Sequence, residues 1–240
     1  MEKREMISDG STASVYRTDD PSLMLVSRKD TLTDLRSGRS GNFPGKGALC
    51  SRMSAHVFRY LETQGLRTAF VEETTDTDCL FRETERIPLR IRVRSYSAGA
   101  FAERTGLAEG TALPQPTAEF RYCKEGLGEP MINGYDALAL KLVTETEIEK
   151  IVKTAFRVNE LLSVYFAKRK LDLVDLSVEF GRYKEELLIT GEYSPDTMRL
   201  WDSETHERLD SERFLKNLGN VQDAYAELGR RLGLSGHSSS

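Results

Sequence analysis

Residues 171–180, LDLVDLSVEF, alternate with period two, and this alternation constrains the fold more than any other stretch of the 240-residue chain. Asp172, Val174, Leu176, Val178 and Phe180 fall on one parity, and Leu171, Leu173, Asp175, Ser177 and Glu179 on the other. Successive side chains of a strand point to opposite sides, so the pattern predicts a strand with one packed face. The other face carries Asp175, Ser177 and Glu179 in a row, spaced about 7 Å apart. Residues 181–184 predict a turn, and Leu187, Leu188 and Ile189 a return strand that brings Glu192 back toward Asp175 and Glu179. Three converging carboxylates suit a divalent metal, or a general acid or base beside a substrate. An ordinary hairpin with a solvated polar face fits the same pattern.

The chain is long enough for one large domain or two smaller lobes. It is 39% hydrophobic and 30% charged, and no apolar run is long enough to span a bilayer. With a charged opening, MEKREMISD, unlike a signal peptide, this predicts a cytoplasmic protein with no membrane partner. Cys50, Cys79 and Cys123 are odd in number and widely spaced, against a disulfide framework or a zinc knuckle. A net charge of -4 argues against a nucleic-acid partner. There are three histidines, one of them (His237) in a serine-rich tail, so no histidine-based metal site is expected.

Residues 7–16 predict a Gly/Ser turn entering a strand, with residues 23–26 as its partner; such a turn either covers phosphates with backbone N–H groups or simply joins two strands. Residues 31–43 are polar and glycine-rich, which predicts a mobile loop. Leu49, Met53, Val57 and Leu61 then mark one face of a helix ended by Gly65. Residues 68–72 and 79–82 predict strands. In residues 87–95 Leu89, Ile91 and Val93 alternate with Arg90, Arg92 and Arg94, a strand whose arginines are either solvated or a binding face. Thr144 and Glu147 form a capping box for a helix to about residue 168, with Ile148, Ile151, Val152, Ala155, Leu162 and Phe166 inward.

Two ordered motifs carry a resemblance. V-D-x-x-x-E-F-G (residues 174–181) followed by E-x-S-P-D-x-x-R-L-W-D (residues 192–202) is similar to the C-terminal signature of the SAICAR synthetases. These are ATP-dependent ligases joining aspartate to a carboxyaminoimidazole ribonucleotide in purine synthesis. P-G-K-G-A-L (residues 44–49) and V-R-x-x-x-A-G-x-F-x-x-R-x-G (residues 93–106) extend the likeness over residues 7–232. It implies an α+β, two-lobed, mostly antiparallel fold, with residues 1–83 as a β-rich lobe and residues 84–240 as an α+β lobe. The strand at residues 79–82 would lead into the hinge and supply adenine contacts.

The resemblance also implies site residues. Arg94 and Arg199 would hold the ribonucleotide 5'-phosphate with the backbone at Gly99, and Ser95, Ser177 and Asp196 would line the substrate. Asp175, Glu179 and Glu192 would be the catalytic carboxylates. Ser11 and Ala13 stand where the family has two ATP-binding lysines, Cys123 and Ser177 where it has lysines, and Gly191 where it has a metal-binding aspartate. Neighbouring Lys124 is a substitute for the lysine at Cys123. Phosphoryl transfer rests on positioned cations and Mg²⁺, and losing one such donor costs roughly 10²–10³ in rate. The expectation is therefore a repurposed member with no metal site, acting on an imidazole- or purine-type ribonucleotide without ATP-dependent ligation. Relatives in coformycin- and pentostatin-type nucleoside pathways give the pattern. The alternatives are an authentic SAICAR synthetase using Mg·ATP, and a noncatalytic nucleotide-binding partner. In each case the family implies a homo-oligomer.

Overall fold

The computed structural model describes residues 2–34 and 37–234, so His237 and residues 35–36 lie outside the described residues. The elements run β1 Met6–Asp9, β2 Ala13–Arg17, β3 Leu23–Arg28, β4 Thr31–Thr33, β5 Ser40–Asn42, α1 Lys46–Thr63, β6 Phe70–Glu73 and β7 Asp78–Arg82. They continue with β8 Glu85–Tyr96, α2 Ala100–Thr105, β9 Ala112–Tyr122, β10 Met131–Ile132, α3 Gly134–Ala139 and α4 Glu145–Ala167. The chain closes with β11 Leu171–Tyr183, β12 Glu186–Thr190, β13 Met198–Asp202, α5 Glu212–Leu215 and α6 Val221–Leu232.

Two antiparallel sheets carry the fold, which is α+β. The first has the order β1-β2-β3-β7-β6 and packs against α1. Leu49, Met53, Val57 and Leu61 are all buried, as their four-residue spacing requires. The second has the order β10-β9-β8-β11-β12, with β13 pairing the first half of β11. Helix α4 covers one face of it. Its capping box forms as the sequence predicts: Thr144 Oγ1 accepts from the Glu147 amide at 3.2 Å, and Glu147 Oε2 accepts from the Thr144 amide at 2.8 Å. Ile151, Ala155, Leu162 and Phe166 pack with Leu89, Ile91, Val93, Leu176, Val178 and Phe180 in one apolar cluster, which also takes in Phe58, Phe70 and Phe81 of the first sheet.

Two expectations change. Strand β11 continues to Tyr183, so the turn falls at Lys184, whose φ is 56°. The polar stretch at residues 31–43 contains a hairpin, β4 on β5, pinned by Leu32 and Phe43 in a small second core with Phe214, Val221 and Tyr225. Two apolar anchors outweigh the glycines and charges that made it read as a loop.

Candidate active site

On the face of the second sheet away from α4, the registers of β9, β8 and β11 stack the polar residues into rows. Asp175 pairs with Arg94, which faces Thr117; Ser177 pairs with Arg92, which faces Glu119; Glu179 pairs with Arg90, which faces Arg121. Strand β13 adds Arg199 beside Asp175. The rows floor a cavity of about 540 Å³ whose lining includes Arg90, Arg92, Arg94, Gly99, Arg121 and Arg199. So the row of Asp175, Ser177 and Glu179 is not a solvated face: Asp175 is 1% exposed and Ser177 7%.

Charge is compensated unevenly along this floor. Arg94 is 1% exposed and fully engaged: Nε and Nη2 donate to Glu119 at 2.9 and 3.2 Å, and Nη1 donates to Asp175 at 2.6 Å. Burial pushes Glu119 up, but the Arg94 and Arg104 guanidiniums outweigh it and hold the carboxyl at about 2. Arg199 shares Asp175 with Arg94 and sets Nε 2.8 Å from Glu212 Oε1. Arg90 donates to Glu179 at 2.9 Å and to Glu129 at 2.7 Å. Behind β13, Asp210 accepts from the Leu200 and Glu212 amides at 2.9 and 2.8 Å, and burial still drives its pKa up to about 7. At the cavity mouth the Gly99 amide donates to Glu109 Oε1 at 3.2 Å, and Lys216 Nζ reaches the same oxygen at 2.8 Å. Gly99 has φ +54°, a conformation that favours glycine, and a Cβ there would lie 2.9 Å from Arg199 Nη2 and displace that guanidinium.

Several residues expected at one site separate. Glu192 joins a second cluster: it pairs with Arg28 and accepts from Ser194 Oγ at 2.5 Å. There Lys46 Nζ lies 2.5 Å from Asp196, which also accepts from Tyr225 at 2.7 Å. Asp175 pairs with Arg94 and Arg199, Glu179 with Arg90 and Glu192 with Arg28, so the three carboxylates meet different guanidiniums, and Asp196 meets Lys46. Ser95 lies on the other face of β8, hydrogen-bonded to Asn159 of α4, since strand alternation sends it opposite to Arg94. Arg94 lines the cavity and is also a buried tie between Glu119 and Asp175. Helix α2 after Gly99 is six residues long, and both Gly99 and Ala100 line the cavity.

Metal chemistry finds little room. Cys50, Glu192 and Asp196 bring ligand atoms within 4.8 Å of one another, and they are the one such group among the described residues. Burial pushes the Cys50 thiol up, and the two carboxylates are already neutralised by Arg28 and Lys46, so the set does not fit a hard, oxygen-seeking Mg²⁺. Glu179 is held by Arg90, and Gly191, at φ +87°, offers no side chain. The turn between β1 and β2 carries exposed Ser11, yet Lys29 of the β3–β4 connection reaches into it, with Nζ 2.5 Å from Asp9 Oδ1 and 2.8 Å from the Gly10 carbonyl oxygen. The sequence reading missed that cation because Lys29 is distant from the turn in the chain. Glu119, Glu212, Glu109 and Lys216 were missed for the same reason.

An α+β fold with an arginine-rich floor under an open cavity offers cationic donors that can take an anionic small molecule. Comparison with known proteins gives the lineage. The SAICAR synthetase profile matches residues 6–232. The phosphoribosylaminoimidazole-succinocarboxamide synthase of Lachnoclostridium phytofermentans is 42% identical over 234 residues, covering 98% of this chain and 100% of that protein. The crystal structure of the enzyme of that name from Ehrlichia chaffeensis superposes with a TM-score of 0.94 at 31% identity, over 97% of this chain and 100% of that one. A SAICAR synthetase in complex with ADP gives 0.92 at 33%, over 98% and 100%. This chain belongs to the SAICAR synthetase family. These relatives are named as succinocarboxamide synthases and SAICAR synthetases and lend no support to a place in nucleoside-antibiotic pathways. No helix among the described residues is long and apolar enough to cross a membrane.

Proposed function

We propose that the chain is an enzyme acting on a 5'-phosphorylated imidazole- or purine-type ribonucleotide, held with its phosphate at the mouth of the arginine cavity. The observation that carries this is the Glu109 carboxylate, which rests on the Gly99 amide and Lys216 beside Arg199. An exposed internal carboxylate on those donors stands where a phosphate dianion would be bound more strongly, by charge-assisted hydrogen bonds from guanidinium, ammonium and backbone N–H. Arg94, in the cavity floor, fixes Asp175, which in turn orients Arg199.

For the reaction, similarity over nearly the whole length to succinocarboxamide synthases favours joining aspartate to a carboxyaminoimidazole ribonucleotide with ATP. Lys29 at the glycine turn supplies one cation on that side. A second reading, chemistry on the same nucleotide without ATP, is favoured by the guanidinium of Arg90 on Glu179, by Gly191, and by uncharged Ser11 and Ala13. The deciding assay supplies carboxyaminoimidazole ribonucleotide, aspartate and Mg·ATP and follows ADP and the coupled product. ADP release that needs both co-substrates supports ligation. Nucleotide binding with no ADP release at millimolar Mg·ATP leaves the second reading. Failure of the nucleotide to bind at all overturns both.

A further inference from the structure

Three of the four arginines of β8, Arg90, Arg92 and Arg94, line the cavity and differ in what neutralises them. Arg94 has Glu119 and Asp175, and Arg90 has Glu179 and Glu129. Arg121 and Arg199 on the flanking strands also have carboxylate partners. Arg92, in the middle of the floor, makes no ion pair among the described residues. Its cross-strand neighbour on β11 is Ser177, a neutral hydroxyl that receives Nε and Nη2 at 3.4 and 3.3 Å. Its neighbour on β9 is Glu119, which is turned away to Arg94, Arg104 and Arg121. Two more guanidiniums flank it on its own strand, and the sum of burial and like charge presses Arg92 toward its neutral form against the pull of Asp175.

A half-buried cation among cations, without a counter-ion, is costly in the free protein. The cost is removed when a ligand brings the missing negative charge. Arg92 lines the cavity, and its forked donors match a carboxylate. It lies two residues, about 7 Å, along the strand from Arg94, farther into the floor than the Gly99 mouth. Resting on the ribonucleotide reading, we infer that Arg92 is a specificity-determining residue that binds a carboxylate of the substrate, a second anionic group beyond the 5'-phosphate. Ser177 holds the guanidinium without neutralising it and so leaves it for the ligand.

The test compares two ligands, 5-aminoimidazole ribonucleotide and its 4-carboxylate, on wild type, Arg92→Met and Ser177→Glu, with affinity by calorimetry and stability by urea unfolding. Wild type should prefer the carboxylate about tenfold to a hundredfold, the worth of a hydrogen bond to a charged group. Arg92→Met should bind both ligands equally, at the affinity of the uncarboxylated one, and should be at least as stable as wild type. Ser177→Glu gives Arg92 an internal partner; it should raise stability and erase the preference, which keeps the test alive if Arg92→Met fails to fold. The inference is overturned if wild type shows no preference, if the preference survives in Arg92→Met, or if Ser177→Glu keeps it. Equal binding of both ligands by wild type defeats only the Arg92 assignment. Binding of neither defeats the ribonucleotide reading along with it.

Discussion

The arginine floor of the second sheet and the glycine turn of the first are two cationic regions built on opposite plans. On the floor, Arg94, Asp175 and Arg199 span β8, β11 and β13 in one row, with Arg94 and Asp175 each 1% exposed. At the turn, Lys29 reaches Asp9 and the Gly10 carbonyl, and its side chain is 32% exposed. Charges fixed on paired strands keep their geometry before a ligand arrives, whereas a flexible ammonium at a turn must be ordered on binding and is screened by water. The floor is therefore the preorganised half of the molecule, and the turn is the half left to a weaker partner.

The contrast breaks first if the floor is not held by its ion pairs. Arg94→Met leaves Glu119 without its buried guanidinium and Asp175 with Arg199 alone, and should cost about 3–5 kcal/mol in urea unfolding, as for one partner removed from a buried pair. A loss below about 1 kcal/mol would make the floor no firmer than a surface network. Asp210, behind the same row, sharpens the point through pH. Its folded pKa of about 7 lies above the ordinary carboxylate value of 3.8, so the folded state binds the extra proton between these limits. That contribution is present at low pH and is lost as pH rises toward 7, with a slope approaching about 1.4 kcal/mol per pH unit. The difference in stability between wild type and Asp210→Asn, measured from pH 5 to 8, should follow that fall; a flat difference would place Asp210 in contact with water.

The turn should show smaller effects. Mg·ATP should bind with a dissociation constant in the millimolar range, about 4 kcal/mol of binding; micromolar affinity by calorimetry would mean that Lys29 and its surroundings replace the cations missing at Ser11 and Ala13. Lys29→Ala should leave the thermal midpoint within about 1 °C of wild type, since half-exposed pairs add little.

Periodicity made most of the elements legible. The alternation of residues 87–95 and 171–180 predicted β8 and β11, and the Thr144–Glu147 box fixed the start of α4. Alternation also put Asp175, Ser177 and Glu179 on one face with the arginines of β8 opposite them. Pairing was not legible. Nothing local says that Glu192 turns to Arg28, 164 residues earlier, or that Lys46 meets Asp196, 150 residues away. Motif likeness singled out Arg94, which lines the cavity, but nothing local says that it also ties Glu119 to Asp175. Ser95 was misplaced by adjacency, since a neighbour in a motif is on the opposite face of a strand.

In the proposed function Arg199 and the groups around Gly99 take the 5'-phosphate of a ribonucleotide. The direct measurement is a two-by-two titration of wild type and Arg199→Ala against an imidazole-type ribonucleoside 5'-monophosphate and the unphosphorylated nucleoside. Wild type should bind the monophosphate clearly better, and Arg199→Ala should lose about 1.5–3 kcal/mol for the monophosphate and almost nothing for the nucleoside. Equal losses for both ligands, or wild-type affinity that gains nothing from the phosphate, would contradict the account.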